Sequence, residues 1–281
     1  MSSPPWNGDG TAPRIYDARM LTVGIDEVGY GPRLGPLVVA AAGSVAPLPA
    51  GVRVADSKKI FSQARGVRTL EPTVLGFLPA ATFRELLARL GQPVPSEPWY
   101  AEDLDLPRLS PAGRLEVAFA RLVEPAEFNA RTRDRNKADL LFDLVAELVE
   151  RILETHPGPL RIVAGKQGGR RCYLEKIRGR LDPGAEAVGE SRDRSCYRFS
   201  GGEIEFLRDG EDRHELVALA SMIGKYVRER AMELFNAFWT ARLPGLRPTA
   251  GYGPDGLRFF RRIEPLLGAA GIPQEGVLRL R

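Results

Sequence analysis

Leu21-Thr-Val-Gly-Ile-Asp26-Glu27-Val-Gly29-Tyr30-Gly31-Pro-Arg33-Leu-Gly35-Pro36 is an apolar strand that ends in two adjacent acids and runs into a glycine-rich turn. Neighbouring carboxylates repel each other, and burial disfavours their ionisation. A divalent cation or a set of hydrogen-bond donors would offset that cost. The glycines allow backbone N–H groups to approach a sugar-phosphate chain, because no Cβ stands in the way. The combination points to metal-dependent work on a polyanion. A strand closing in a plain polar turn would carry the same letters, so the rest of the chain has to decide.

Outward from this stretch, residues 20–26 and 36–43 read as two buried strands joined by the turn. Residues 61–71 read as a short helix, 74–78 as a strand, 81–90 as a helix and 92–111 as a long surface loop. A helix is expected over 113–122. From Asn136 to Thr155 the apolar residues Leu140, Leu141, Leu144, Val145, Leu148, Val149 and Ile152 keep a 3.6-residue period, with Asn136 as N-cap. Residues 160–164 make a short strand and 173–180 a basic helix. Strands are expected at 185–189 and 203–207, a long helix at 215–239 and a last one near 257–267. Strands interleaved with helices predict an α/β fold, a mixed sheet flanked by helices. The organisation expected is a tail over 1–19, a catalytic-type domain over 20–240 and a small helical extension over 241–281.

The chain has 281 residues, 43% of them hydrophobic and 27% charged, as an ordinary globular protein does. No apolar run reaches the ~18 residues that would span a bilayer. The first residues lack the basic start and apolar core of a signal peptide, which leads to a cytoplasmic expectation. Two cysteines and two histidines provide no zinc-ligand spacing. The net charge of +4 suits a nucleic-acid partner. Seven Lys and Arg residues crowd the stretch 161–180, against Glu175 as its one acid. Within it, Gly165-Lys-Gln-Gly-Gly-Arg170 reads as a strand-to-helix turn that could seat a phosphate, although it lacks the Gly-Lys-Ser/Thr ending of a P-loop. A monomer is expected.

Three further pieces matter in combination: Asp56-Ser57-Lys58-Lys59; Ser221, Lys225 and Glu229 on one face of the long helix; and the turn Ala250-Gly251-Tyr252-Gly253. Taken in order with the opening stretch, they resemble ribonuclease HII, the type 2 ribonuclease H family, over roughly residues 20–255. The resemblance implies a ribonuclease H-like fold in which four carboxylates hold two Mg²⁺ or Mn²⁺ ions for hydrolysis of RNA in RNA–DNA hybrids or at embedded ribonucleotides. Asp26 and Glu27 match the first two acids, and Glu229 stands as the last. Gly29, Tyr30 and Gly31, with Tyr252, match the family's ribonucleotide-recognising positions. Lys58, Lys166, Arg170, Ser221 and Lys225 join them as candidate contacts to nucleic acid.

The chain departs from the family where an Asp-Gly should follow the middle strand. That slot holds Ala164 or Gly165, neither able to bind metal. Glu190, near the end of a neighbouring strand, is the candidate replacement. Tyr30 stands where the family has Arg. Two outcomes therefore stay open: a divergent metal-dependent nuclease, or a nucleic-acid-binding relative with impaired catalysis.

Overall fold

A computed structural model describes residues 20–55, 57–61 and 66–280, without the side chains of Lys58 and Lys59. The expected tail, Asp56 and the Lys58 side chain thus lie outside the described residues. Strands β1 (Leu21–Val28) and β2 (Leu37–Ser44) form an antiparallel pair around the glycine turn. Helices α1 (Ser57–Ile60), α2 (Glu71–Phe77) and α3 (Phe83–Arg89) follow, then β3 (Val117–Val123). Next come α4 (Pro125–Thr132), α5 (Lys137–Thr155), β4 (Leu160–Gly165) and α6 (Leu174–Arg180). Three strands, β5 (Glu186–Glu190), β6 (Arg194–Phe199) and β7 (Gly202–Leu207), lead into α7 (Gly210–Arg213). The long α8 (Glu215–Arg242) and α9 (Gly253–Ile263) complete the order.

The strands make one mixed sheet in the order β3-β2-β1-β4-β7-β6-β5, with β1, β4 and β7 parallel at its centre. The α/β expectation of a mixed sheet flanked by helices is met. Alternation along the strands builds a core on each face. Leu21, Val23, Ile25, Ile162 and Ala164 bury against α5 and α6, whose apolar stripe is the one the 3.6-residue period predicts. Asn136 caps α5 by accepting from the Asp139 N–H at 2.8 Å. On the opposite face Val38, Ala40 and Ala42 meet α8, α2 and α3. Phe259, Phe260, Ile263, Val277 and Leu278, from the expected extension, join that same cluster. No helix among the described residues is long and apolar enough to cross a membrane.

Two expected elements take the other state, and α4 and β6 had no counterpart in the sequence reading. Residues 113–122 were expected as a helix, yet Val117–Val123 is a strand because it pairs with β2 from Leu37↔Val123 to Gly43↔Val117. Residues 74–78, expected as a strand, fall in the end of α2 and its C-cap Leu78, with Val74, Leu75 and Phe77 buried. A five-residue apolar run fits either state, and tertiary contacts decide between them.

Gly24 sets the distance between β1 and α8. A Cβ there would lie 2.1 Å from the Leu216 carbonyl carbon and 2.2 Å from the Val217 nitrogen, both backbone atoms. Helix and strand can touch only while residue 24 has no side chain. Gly24→Ala is expected to cost about 2–3 kcal/mol by overpacking. Urea denaturation checks this, and unchanged stability would mean that the two elements are not in close contact.

Candidate active site and nucleic-acid interface

Strand parity decides which residues share a face with Asp26. Ile25 and Ala164 pair across β1 and β4 and both point towards α5. Asp26 and Gly165 therefore lie on the α8 side. A Cβ on Gly165 would stand 3.3 Å from Asp26 Oδ1 and 3.8 Å from Glu27 Oε2. Of Ala164 and Gly165, it is Gly165 that faces the two acids, while Ala164 is buried in the other core.

Beyond Asp26 and Glu27 the turn is held from behind. Gly29 has φ of +86°, and a Cβ on it would meet Arg228 Nε at 2.5 Å and the Pro36 oxygen at 2.7 Å. Only glycine fits, for conformation and space alike. Arg279, fully buried, donates to the carbonyls of Gly29 and Gly35 at 2.6 Å each and of Pro32 at 3.4 Å. Arg228, also fully buried, donates to the carbonyls of Ala250 at 3.0 Å and Leu34 at 3.4 Å. The N–H groups of Arg33 and Leu34 donate to the Gly251 carbonyl. The early glycine turn and the late Tyr252 turn are thereby fastened together.

These pieces enclose a cleft of about 350 Å³. Asp26, Glu27, Gly29 and Tyr30 line it from the end of β1, Gly165 and Lys166 from the end of β4, and Ser57 from α1. Ser221 and Lys225 of α8 and Tyr252 complete the sequence-predicted part of the wall. Ser57 and Ser221 hydroxyls stand 3.0 Å apart. Lys225 Nζ sits 4.0 Å from the centroid of the Phe61 ring. Arg228 stacks on Tyr252, guanidinium to ring centroid 5.2 Å, and that ring, which lines the cleft, is 44% exposed. Burial, then the Glu27 carboxylate, push the Tyr30 hydroxyl above its usual range. Gly31 is exposed at the turn's tip, outside the cleft wall.

Besides Gly31, three candidates are not in the cleft. Glu229 lies one helical turn beyond Lys225, where Lys225 Nζ holds it at 2.6 Å and Arg228 Nη1 at 3.5 Å. Its carboxylate is committed to that ion-paired cluster and does not line the cleft. Glu190 is on β5 at the sheet edge, with β4, β7 and β6 between it and β1, roughly 19 Å at the usual strand spacing. It accepts from the Tyr197 hydroxyl. Arg170 turns away to pair with Asp139 at 2.7 Å.

Two acids missed by sequence reasoning take their place. Asp209, at the N-cap of α7, and Glu211, within α7, line the same cleft as Asp26 and Glu27. Asp209 adopts φ of +51°, the one non-glycine residue with positive φ among those described. Strained backbone of this kind gathers at functional sites. The stretch from Arg208 to His214, charged almost throughout, concealed them, since no spacing marks which acid turns inward. By type, Asp26, Glu27, Asp209 and Glu211 offer the hard oxygen donors that Mg²⁺ or Mn²⁺ takes. No three Asp, Glu, His or Cys side chains converge on one ion among the described residues.

No protein-family model and no curated protein matches the chain. Among solved structures it is similar to a chain of the PCNA:RNase HII complex from Archaeoglobus fulgidus, at 18% identity, covering 93% of this chain and 95% of that one, with a TM-score of 0.45. It is similar to ribonuclease H2 from Pyrococcus horikoshii OT3 at 19% identity, with 92% of each chain covered and a TM-score of 0.45. Bst-RNase HIII in complex with Mn²⁺ matches at 18% identity over 99% of this chain and 73% of that one, with a TM-score of 0.49. The likeness at these identities is one of architecture alone.

Proposed function

We propose that the chain is a ribonuclease H-like phosphodiesterase that cuts ribonucleotide-containing duplexes in the cleft at the end of β1. The observation that carries this reading is that Asp26 and Glu27, at the end of β1, share one cleft with Asp209 and Glu211, just after the parallel strand β7, beside a glycine turn. Asp26 and Glu27 would hold a Mg²⁺ or Mn²⁺ ion, with Asp209 and Glu211 across the cleft. Such an ion supplies an activated water and charge stabilisation for in-line displacement at phosphorus. The chain's own residues position the substrate. The Gly29 backbone lines the cleft, the Tyr252 ring offers a stacking face, and Lys166 and Lys225 supply phosphate contacts.

The test is a labelled duplex bearing one ribonucleotide, incubated with Mg²⁺ or Mn²⁺. Cleavage is expected from the wild type, and Asp26→Asn should lower it by about 100-fold or more, as loss of a group acting on the reacting centre does. Undiminished cleavage by that variant would remove the cleft from the account.

Gly165 favours a second reading. The position facing Asp26 and Glu27 carries no carboxylate, so the cleft could bind duplexes without turnover. On this reading the wild type binds in a salt-sensitive manner and does not cut. Gly165→Asp would then gain cleavage together with Mn²⁺-dependent thermal stabilisation. A variant gaining neither, from an inert wild type, would eliminate this explanation.

A further inference from the structure

Beside the cleft lies a second recess of about 380 Å³, lined by Lys166, Gly169, Arg171, Arg192, Arg208 and Asp209. Three chain segments build it, and each is pinned. The Lys166 N–H donates to the Leu207 carbonyl at 2.8 Å, and the Arg208 N–H to that of Asp193 at 2.9 Å. Lys166 Nζ reaches Ser191 O at 2.7 Å and Ser195 Oγ at 2.8 Å; Ser195 Oγ donates to Arg171 O at 2.6 Å. The loop after β4 turns back through Gly168 and Gly169, with φ of +56° and +79°. A Cβ on Gly169 would meet nothing within 4 Å, so glycine is required there by conformation and leaves the mouth open.

The charge is unbalanced. Arg208 faces Asp193 at 3.0 Å and Asp209 at 3.5 Å. Arg171 and Arg192 have no ion pair among the described residues, and Lys166 spends its donors on neutral oxygens. Guanidinium forks on a concave wall match the oxygens of a phosphate. Lys166 and Asp209 belong to both recess and cleft, so a strand leaving one passes the other.

We propose that this recess is a phosphate-binding site for the polynucleotide held in the cleft, taking a phosphate away from the reacting bond. The source of that phosphate rests on the nucleic-acid reading above, whereas its chemistry does not. The full chain is compared with the Arg171→Ala/Arg192→Ala double variant, both side chains being exposed and outside the cleft.

Inorganic phosphate, against chloride at equal ionic strength, should raise the melting temperature of the wild type and not of the variant. Equal shifts in both would overturn the proposal. Duplex affinity should fall about tenfold in the variant. The slope of log affinity against log salt should shrink by about 0.9, one phosphate's worth. If only 5′-phosphorylated duplexes register the change the phosphate is terminal; if 5′-hydroxyl duplexes do too, it is a backbone phosphate. Identical affinity and slope in wild type and variant would sink the site. A wild type that binds no duplex removes the nuclease reading, and the inorganic phosphate response alone then decides the recess.

Discussion

Arg279→Ala is expected to destabilise the protein by roughly 3–5 kcal/mol and to abolish duplex binding together with it. The side chain is fully buried and donates to the carbonyls of Gly29, Pro32 and Gly35. Its guanidinium lies 4.7 Å from the centroid of the Phe128 ring, and its backbone exchanges hydrogen bonds with Arg33 at 2.8 Å each way. Alanine leaves the carbonyls of the turn without their buried donor, which costs more than a bond between exposed groups. Relief of repulsion with nearby Arg228 offsets part of the loss and draws the figure towards its lower end. Lysine keeps the charge but has no planar fork to reach several carbonyls at once, so Arg279→Lys should fall between. Urea denaturation and duplex titration read the two effects. Wild-type stability with wild-type affinity in Arg279→Ala would show that the turn stands without its support.

Glu124→Gln should change how stability depends on pH. Glu124 directly follows β3, is buried, and accepts from the Tyr100 hydroxyl through Oε1, while Oε2 has no partner among the described residues. Burial, then the nearby Glu97, push its carboxyl up to about 8 from an ordinary 4.5; Arg279 and Arg228 act the other way and are outweighed. Between those two pH values the folded protein keeps a proton that the unfolded chain has released. Stability therefore declines as pH rises through that window, by up to about 1.4 kcal/mol per unit from this group. Below about 4.5 both states are protonated and the penalty vanishes; above about 8 it is complete. Glutamine cannot ionise, so the variant should gain on the wild type between about pH 5 and pH 8. Parallel pH profiles would mean that Glu124 is charged in the folded state.

The sequence disclosed what depends on local pattern. The Asp26–Glu27 stretch, the α5 stripe and its Asn136 cap are periodicities and short-range hydrogen bonds, and the chain spells them out. β3 was misread because Val117–Val123 becomes a strand only through its pairing with β2. Gly165 could not be told from Ala164 until the register with Ile25 fixed which one faces Asp26. Asp209 and Glu211 were hidden among other charges, and Glu229 shared its helix face with two residues that do line the cleft. Arg279 gave no signal, for a lone arginine near the end of the sequence announces nothing about carbonyls at Gly29 and Gly35.

The separation of 250 positions between Arg279 and Gly29 has a bearing on synthesis. A nascent polypeptide can pair β1 with β2 and lay α5 against them before Arg279 has been added. The glycine loop cannot be fastened until that residue arrives. The loop would thus take its final shape after most of the architecture is in place.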